Sequence, residues 1–291
     1  EGMIDEISAD SHPRWIEFFS NLVGWMGKTL FRSIETDPAE IERVRDRAKR
    51  TPLVFISNHK SHVDYLLISW VFYNHDITPP HIAAGSNLAF WPIGPIFRKL
   101  GAFFIRRSFR GSTLYPEVFK KYLRHMLRSG YSVEFFIEGG RSRTGKMRPP
   151  RYGLLRMIVE TYLDGDFDDL TLVPTAVNFD KVLEDRSHAL ERSGGSKNPE
   201  SLRQILGLTR VLNQRYGRIY LRIGETISLS DYVRRHLPSD RSNNDSLPRD
   251  FIAQLGLRIC ERIDRVTSVT PTALLSSMVL ASSARPLSTA D

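Results

Sequence analysis

The 291-residue sequence is poor in the residues that build covalent or metal-stabilised folds. Its single cysteine, Cys260, excludes an internal disulfide framework and is typical of a reducing compartment. No group of Cys and His residues has the spacing of a zinc site, so we expect no metal. The sequence predicts no signal peptide. Because the first residue is Glu1 rather than methionine, we expect the chain to be a piece of a longer protein.

Long apolar runs are also absent. The most apolar segment near the start, Trp15–Phe31, has a helical period, but Asn21, Gly24 and Gly27 make it too polar to span a bilayer. Its two tryptophans suit a helix that lies in a membrane interface. A helix packed on the protein core is the alternative, and the pattern does not decide between them.

Positive charge is concentrated in one region. Residues 98–156 contain fifteen Lys and Arg against three acidic residues, a net charge of +12 in a chain whose total is +8. A field of this kind attracts phosphates, anionic lipid surfaces or nucleic acid. Several of these arginines follow apolar runs in Gly-containing segments, which favours a binding site over a solvated basic face.

Apolar runs alternate with helical patterns, which predicts an α/β fold with a mixed, mainly parallel sheet flanked by helices. Predicted strands are Leu53–Ile56, Gly101–Ile105, Val133–Ile137, Thr171–Val177 and Ile219–Ile223. Predicted helices are Trp15–Phe31, Pro38–Lys49, Pro116–Arg128, Arg151–Leu163, Phe251–Val266 and Ala273–Ala284. Ser193–Asn198 and Pro238–Pro248 read as loops. We expect an N-terminal helical, membrane-interface segment (1–50), an α/β domain (51–230) and a C-terminal region of loop and helices (231–291).

A histidine and an aspartate, His59 and Asp64, form an H-x-x-x-x-D pattern just after the first predicted strand. Imidazole can take a proton near neutral pH, and a carboxylate can orient it, so the pair predicts a general base. His62 is a rival base, but it is only two residues from Asp64. Because no activated Ser or Cys accompanies the pair, the nucleophile is predicted to be the substrate's own hydroxyl.

Two further segments follow strands and carry positive charge. The strand at Gly101–Ile105 delivers Arg106 and Arg107 at its end, where only one of them is expected to enter the site, and we favour Arg106. Glu138 ends the next strand and needs a buried partner, for which an arginine is the natural choice. Gly139 and Gly140 allow close backbone approach to a ligand, and the basic residues after them are Arg141, Arg143 and Lys146.

Taken together, these segments resemble the blocks of the glycerolipid acyltransferase superfamily, in order and spacing, over about residues 50–180. The chain is most similar to the bacterial, membrane-bound glycerol-3-phosphate acyltransferases, through its doubled Arg106–Arg107 and its tail at Val269–Leu275. The matching positions are Asn58, His59, Ser61 and Asp64 in the first block, Gly101–Arg107 in the second, Glu138, Gly139, Arg141, Ser142 and Arg143 in the third, and Leu172–Asn178 in the fourth.

This resemblance implies an acyltransferase that moves a fatty acyl chain from acyl-CoA or acyl-carrier protein to the sn-1 hydroxyl of glycerol 3-phosphate. The co-substrate thioester would be needed, but no cofactor, metal or nucleic acid. His59 and Asp64 are then catalytic. The substrate-binding residues implied are Arg106, Glu138, Gly139, Arg141, Ser142, Arg143 and Lys146.

The same resemblance implies a peripheral or monotopic protein on a phospholipid membrane, at the cytoplasmic face. Backbone N–H groups near Gly139 are expected to stabilise the oxyanion. Dihydroxyacetone phosphate or lysophosphatidate as acceptor, and a non-catalytic module that binds anionic lipid, are the alternatives.

Overall fold

The computed structural model describes residues 2–109, 111–181, 216–238 and 247–281. The helices are α1 (Gly2–Ile7), α2 (Pro13–Leu30), α3 (Pro38–Ala48), α4 (Asp64–Asn74), α5 (Ile93–Lys99), α6 (Leu114–Arg128), α7 (Tyr152–Leu163), α8 (Leu229–His236), α9 (Arg249–Val266) and α10 (Pro271–Ala281). The strands are β1 (Ser33–Glu35), β2 (Leu53–Ser57), β3 (His81–Gly85), β4 (Ala102–Ile105), β5 (Val133–Phe136), β6 (Thr171–Phe179), β7 (Arg218–Ile223) and β8 (Ile227–Ser228).

All of these strands belong to one sheet in the order β1-β7-β6-β2-β5-β3-β4, with β8 paired to β6. The five neighbours from β6 to β4 run parallel to one another. β7 is antiparallel to β6, and β1 pairs parallel with β7. The prediction of a mixed, mainly parallel sheet is therefore confirmed. The β1 strand comes from the predicted N-terminal segment but lies in the main sheet, and the domain boundaries at residues 50 and 230 stay a prediction.

Helices cover both faces of the sheet. β2 lies near the middle, and all five of its residues are buried, which is typical of a parallel strand with helices on each side. Its alternate residues divide between two apolar clusters. Val54 and Ile56 pack with residues of α6, α7 and α9, whereas Leu53 and Phe55 pack with residues of α2, α3 and α4.

The α2 helix contributes to this core and also has an exposed apolar face. Val23 and Leu30 are buried, while Phe18 and Trp25 keep 59% and 56% of their surface exposed. Packing of this helix on the core is therefore confirmed for one face, and a membrane interface at the exposed face stays a prediction. Within the ranges that the structure describes, no helix has the length and apolar character needed to cross a membrane.

The predicted strands and helices are confirmed to within a few residues where the structure describes them. The sequence did not reveal β1, β3, β8, α1, α4, α5 and α8. β3 has the sequence HIAAG, whose alanines and glycine have low strand propensity. α4 is apolar on all sides, so it has no amphipathic period to detect. The loop predicted at Ser193–Asn198, most of Pro238–Pro248 and the end of the Ala273–Ala284 helix lie outside the described residues.

Candidate active site

The carboxyl ends of the parallel strands bring the predicted segments to one edge of the sheet. His59 follows β2, Arg106 follows β4, and Glu138 follows β5. Since β2 pairs with β5 and β3 lies between β5 and β4, these three ends are near neighbours. Ligands of open α/β sheets bind at this edge, which is where a site is expected.

His59 and Asp64 are in direct contact. Nδ1 of His59 lies 2.9 Å from Oδ2 of Asp64, whose side chain is fully buried, whereas the His59 side chain keeps 13% of its surface exposed. An ionised carboxylate can only accept hydrogen bonds, so the shared proton belongs to Nδ1. The lone pair of Nε2 is then available to a substrate.

Asp64 also fixes the loop that carries His59. Its Oδ2 accepts hydrogen bonds from the backbone N–H groups of Lys60 (2.7 Å) and Ser61 (2.9 Å) in addition to the imidazole. As the first residue of α4, Asp64 lies at the positive end of the helix dipole, which favours its negative charge. One buried oxygen therefore sets both the loop conformation and the orientation of the ring.

Two neighbours secure this loop further. The buried side chain of Asn58 donates to the Val177 carbonyl (3.2 Å) and accepts from the Val177 N–H (2.8 Å), which ties the end of β2 to β6. The ring of Phe136, at the end of β5, stacks on the His59 imidazole with a centroid distance of 3.9 Å. The ring of His59 is thus held by an apolar surface as well as by Asp64.

Glu138 is buried, but its partners differ from the arginine that the sequence suggested. One carboxylate oxygen accepts from the His59 N–H (2.9 Å) and the other from the Arg148 N–H (2.8 Å). Burial raises the pKa of Glu138, and these two hydrogen bonds oppose the effect. Glu138 joins the loop after β2 to the loop after β5, and so positions the site through backbone groups.

The Gly-containing loop is anchored to the same place. The Ser142 N–H donates to the His59 carbonyl at 2.7 Å, and the Ser142 hydroxyl donates to the Lys146 carbonyl. Gly139 has φ +60°, and an added Cβ would lie 2.8 Å from the Arg151 side chain, so this position requires glycine. The sequence suggested that backbone N–H groups near Gly139 stabilise an oxyanion. The N–H of Gly139 itself donates to the Phe136 carbonyl at 3.0 Å and is therefore not available for that role.

The arginines have different environments. Arg106 forms a two-pronged ion pair with Glu6 of α1, at 2.7 and 2.6 Å, and its guanidinium lies 4.4 Å from the centre of the Tyr115 ring. The hydrogen bonds from Arg106 lower the pKa of Glu6. Arg106, Arg107 and Arg141 line one cavity. Arg143 and Lys146 are outside the lining that the described residues define, and Lys146 is exposed.

This cavity has a volume of about 930 Å³ and includes His59 in its lining. Its lining includes three arginines together with Gly139 and Gly140. It also includes apolar residues of α2, α4, β3 and α5, namely Ile16, Phe19, Val23, Leu66, Trp70, Ile82 and Phe97. The lining can therefore bind both an anionic and an apolar ligand group.

Sequence reasoning missed four residues near the site. Arg151 lines the cavity and packs on Gly139, Glu6 pairs with Arg106, and Lys60 is largely buried, which lowers its pKa. The fourth, Glu134, is completely buried, and burial raises its pKa to about 8. A signal existed for Glu134, because it is the one charged residue within the apolar run Val133–Ile137.

Comparisons with known proteins bear on this site. The family model described as acyltransferase matches residues 39–178, and that described as glycerol-3-phosphate acyltransferase C-terminal region matches residues 189–291. A glycerol-3-phosphate acyltransferase of Aeromonas hydrophila subsp. hydrophila is 44% identical over 239 residues, which cover 82% of this chain and 29% of that protein. A glycerol-3-phosphate acyltransferase of Actinobacillus succinogenes is 38% identical over 293 residues, which cover 99% of this chain and 36% of that protein.

The chain spans about a third of the length of the curated relatives it matches. The matched ranges follow each other along most of the sequence, and the first contains the His59–Asp64 pair, the arginines after β4 and the loop after β5. Both relatives carry the same name, in agreement with the resemblance of the sequence blocks. On these grounds the chain belongs to the glycerol-3-phosphate acyltransferase family.

Proposed function

We propose that this protein transfers a fatty acyl chain from a thioester donor, acyl-CoA or acyl-carrier protein, to the sn-1 hydroxyl of glycerol 3-phosphate. One observation carries the proposal. The Asp64-bound imidazole of His59 lines a cavity whose lining contains both arginines and apolar side chains. A phosphate needs the arginines, an acyl chain needs the apolar side chains, and the reacting hydroxyl needs the imidazole.

The geometry of the imidazole supports a general-base reaction. Nε2 of His59 accepts the proton of the glycerol hydroxyl while its oxygen attacks the thioester carbonyl carbon. Asp64 stabilises the imidazolium that forms at this moment, because its Oδ2 is 2.9 Å from Nδ1. When the carbon–sulfur bond breaks, the imidazolium returns the proton to the thiolate. Since the acceptor hydroxyl is the nucleophile, no acyl-enzyme is required.

Phosphate binding is assigned to the arginines of the cavity. Guanidinium groups bind phosphate through two parallel charge-assisted hydrogen bonds. Arg141 is supplied by the loop that is anchored to His59 through Ser142, so its backbone position is fixed relative to the base. Arg106 holds a carboxylate, Glu6, in the two-pronged geometry that a phosphate would also use. The apolar residues of α2 and α4 are assigned to the acyl chain.

The base is tested by replacing His59 with alanine. We expect His59→Ala to lower kcat by about 10²–10⁴-fold because a positioned general base contributes that much, while the KM for glycerol 3-phosphate changes little. Asp64→Asn should have a comparable effect on kcat. The measurement is release of free thiol from acyl-CoA in the presence of glycerol 3-phosphate.

His62→Ala provides the matched control, since His62 also lines the cavity but is not assigned the role of base. It should retain most of the turnover. Near-normal turnover in purified, folded His59→Ala would refute the proposed function. Running the assay with dihydroxyacetone phosphate and lysophosphatidate as acceptors identifies the substrate, and faster transfer to either of them would reject glycerol 3-phosphate.

The phosphate site is tested with Arg106 and its carboxylate partner. Arg141→Ala and Arg106→Ala should each raise the KM for glycerol 3-phosphate about tenfold or more, because each removes a charge-assisted bond, and should leave the KM for acyl-CoA nearly unchanged. Glu6→Ala is the control, since it removes the same ion pair with α1 but keeps the guanidinium. If Arg106→Ala and Glu6→Ala give the same kinetic parameters, then Arg106 only attaches α1 to the domain.

We further propose that the protein is monotopic and lies on the cytoplasmic face of the cell membrane, with α2 in the lipid interface. Phe18 and Trp25 are exposed on this helix while its other face lines the cavity and the core. An acyl chain could therefore pass between the lipid and the cavity along α2. The basic surface of residues 98–156 would attract anionic headgroups.

Membrane attachment is tested by placing a charge on the exposed face of α2. Trp25→Glu and Phe18→Glu should move the protein from floating vesicles of phosphatidylethanolamine and phosphatidylglycerol to the soluble fraction, because a carboxylate is poorly tolerated at the acyl boundary. The control is Leu257→Glu, which makes the same kind of change at an exposed position of α9, on the opposite face of the sheet. Unchanged flotation of both α2 variants would show that attachment lies elsewhere.

A further inference from the structure

A carboxyl group that the mechanism does not use lies inside the sheet beside the catalytic pair. Glu134 is on β5, between β2 and β3, in register with Phe55 and Ile82. Its surface is completely buried. An ionised carboxylate at such a position is strongly disfavoured unless it is paired, so Glu134 is expected to be protonated or to have a partner.

The neighbours of Glu134 connect it with His59 and Asp64. Phe136, which stacks on the His59 ring, is two residues further along β5 and so points to the same face of the sheet. The hydroxyl of Ser57, two residues before His59, donates to Oε1 of Glu134 at 3.1 Å. The charge of Asp64 is close enough to raise the pKa of Glu134.

Two buried carboxyl oxygens, one on Asp64 and one on Glu134, lack a hydrogen-bond partner among the described residues. They are Oδ1 of Asp64 and Oε2 of Glu134. All three bonds to the Asp64 carboxylate go to Oδ2. Burial and the Asp64 charge raise the pKa of Glu134 to about 8, so at neutral pH Glu134 carries a proton that it can donate.

We propose that Glu134 is a positioning residue whose neutral carboxyl donates a hydrogen bond to Oδ1 of Asp64, directly or through one water molecule, and thereby fixes the Asp64 carboxylate against His59. The inference rests on the proposed function, because it assigns Glu134 a part in the same reaction. Glu134 touches neither substrate. It acts by holding both oxygens of Asp64, so that rotation of the carboxylate cannot release the imidazole.

Because only the neutral form of Glu134 can donate this hydrogen bond, the activity should depend on pH. The neutral form of Glu134 is fully present well below pH 8 and is lost as the pH rises through about 8, so activity should decline there. Ionised Glu134 would lack the hydrogen and would repel Asp64. Lys60, whose pKa is lowered by burial, is a second group that could titrate on the alkaline side. Asp64 on α4 is the charged group that acts on this carboxyl. The neighbouring segments also carry the titratable residues His59 and Lys60 after β2, His81 on β3 and Glu138 after β5.

The experiment compares Glu134→Gln with Glu134→Leu in the purified full chain. Gln keeps the shape and an N–H donor, and we expect its kcat to stay within about threefold of wild type. Leu removes the donor, and we expect kcat to fall about 10–100-fold with the KM for glycerol 3-phosphate unchanged. The alkaline decline near pH 8 should move up by at least about one pH unit in Glu134→Gln, because that side chain does not ionise. Lys60→Gln should keep the wild-type decline.

Either of two results would overturn the inference: a folded Glu134→Leu with wild-type kcat, or a Glu134→Gln as impaired as Glu134→Leu. If the Leu variant does not fold, the Gln variant decides, since an alkaline decline identical to wild type excludes the proposal. Loss of activity in His59→Ala together with wild-type behaviour of both Glu134 variants would reject this inference alone. Full activity of His59→Ala would instead reject the proposed function.

Discussion

The arrangement of the site depends on one buried oxygen, Oδ2 of Asp64. Three donors converge on it within 2.9 Å: the His59 imidazole and the backbone N–H groups of Lys60 and Ser61. The two backbone bonds fold the chain tightly between the end of β2 and the start of α4. The third bond then orients the imidazole in that fold. Removing this oxygen would release the loop and the imidazole together, so the orientation of His59 and the conformation of the loop depend on the same contact.

Buried carboxyl groups also position other segments at this edge of the sheet. Glu138 binds the backbone of His59 and of Arg148, and so ties two loops that come from adjacent strands. Glu134 lies one layer deeper, against Ser57. Because such groups are costly to bury without partners, their positions restrict the loops more tightly than apolar contacts alone would. The two arginines are held in different ways: Arg106 is paired with Glu6, and Arg141 is on the loop that is anchored to His59.

Parts of the fold and the site that have a distinct pattern over a few consecutive residues could be predicted from the sequence. The apolar run of β2 and the His59–Asp64 spacing led to the correct strand and the contact between the two side chains. β3 and α4 were not predictable, because one has weak strand residues and the other no polar face. The partners of Glu138 are backbone N–H groups, which every residue except proline has, so the sequence cannot indicate them. The pairing of Glu6 with Arg106 joins positions 100 residues apart, and it depends on how α1 packs beside β4 and α6.

The Asp64 contact fixes His59 with its proton on Nδ1 and its lone pair on Nε2. The most direct measurement is a long-range ¹H–¹⁵N correlation spectrum of the purified protein with ¹⁵N-labelled histidine, recorded at a pH where the imidazole is neutral. His59 should populate the Nδ1–H tautomer almost alone, and in Asp64→Ala it should exchange between both tautomers. A wild-type His59 protonated on Nε2, or one whose tautomers do not respond to the loss of Asp64, would contradict the account.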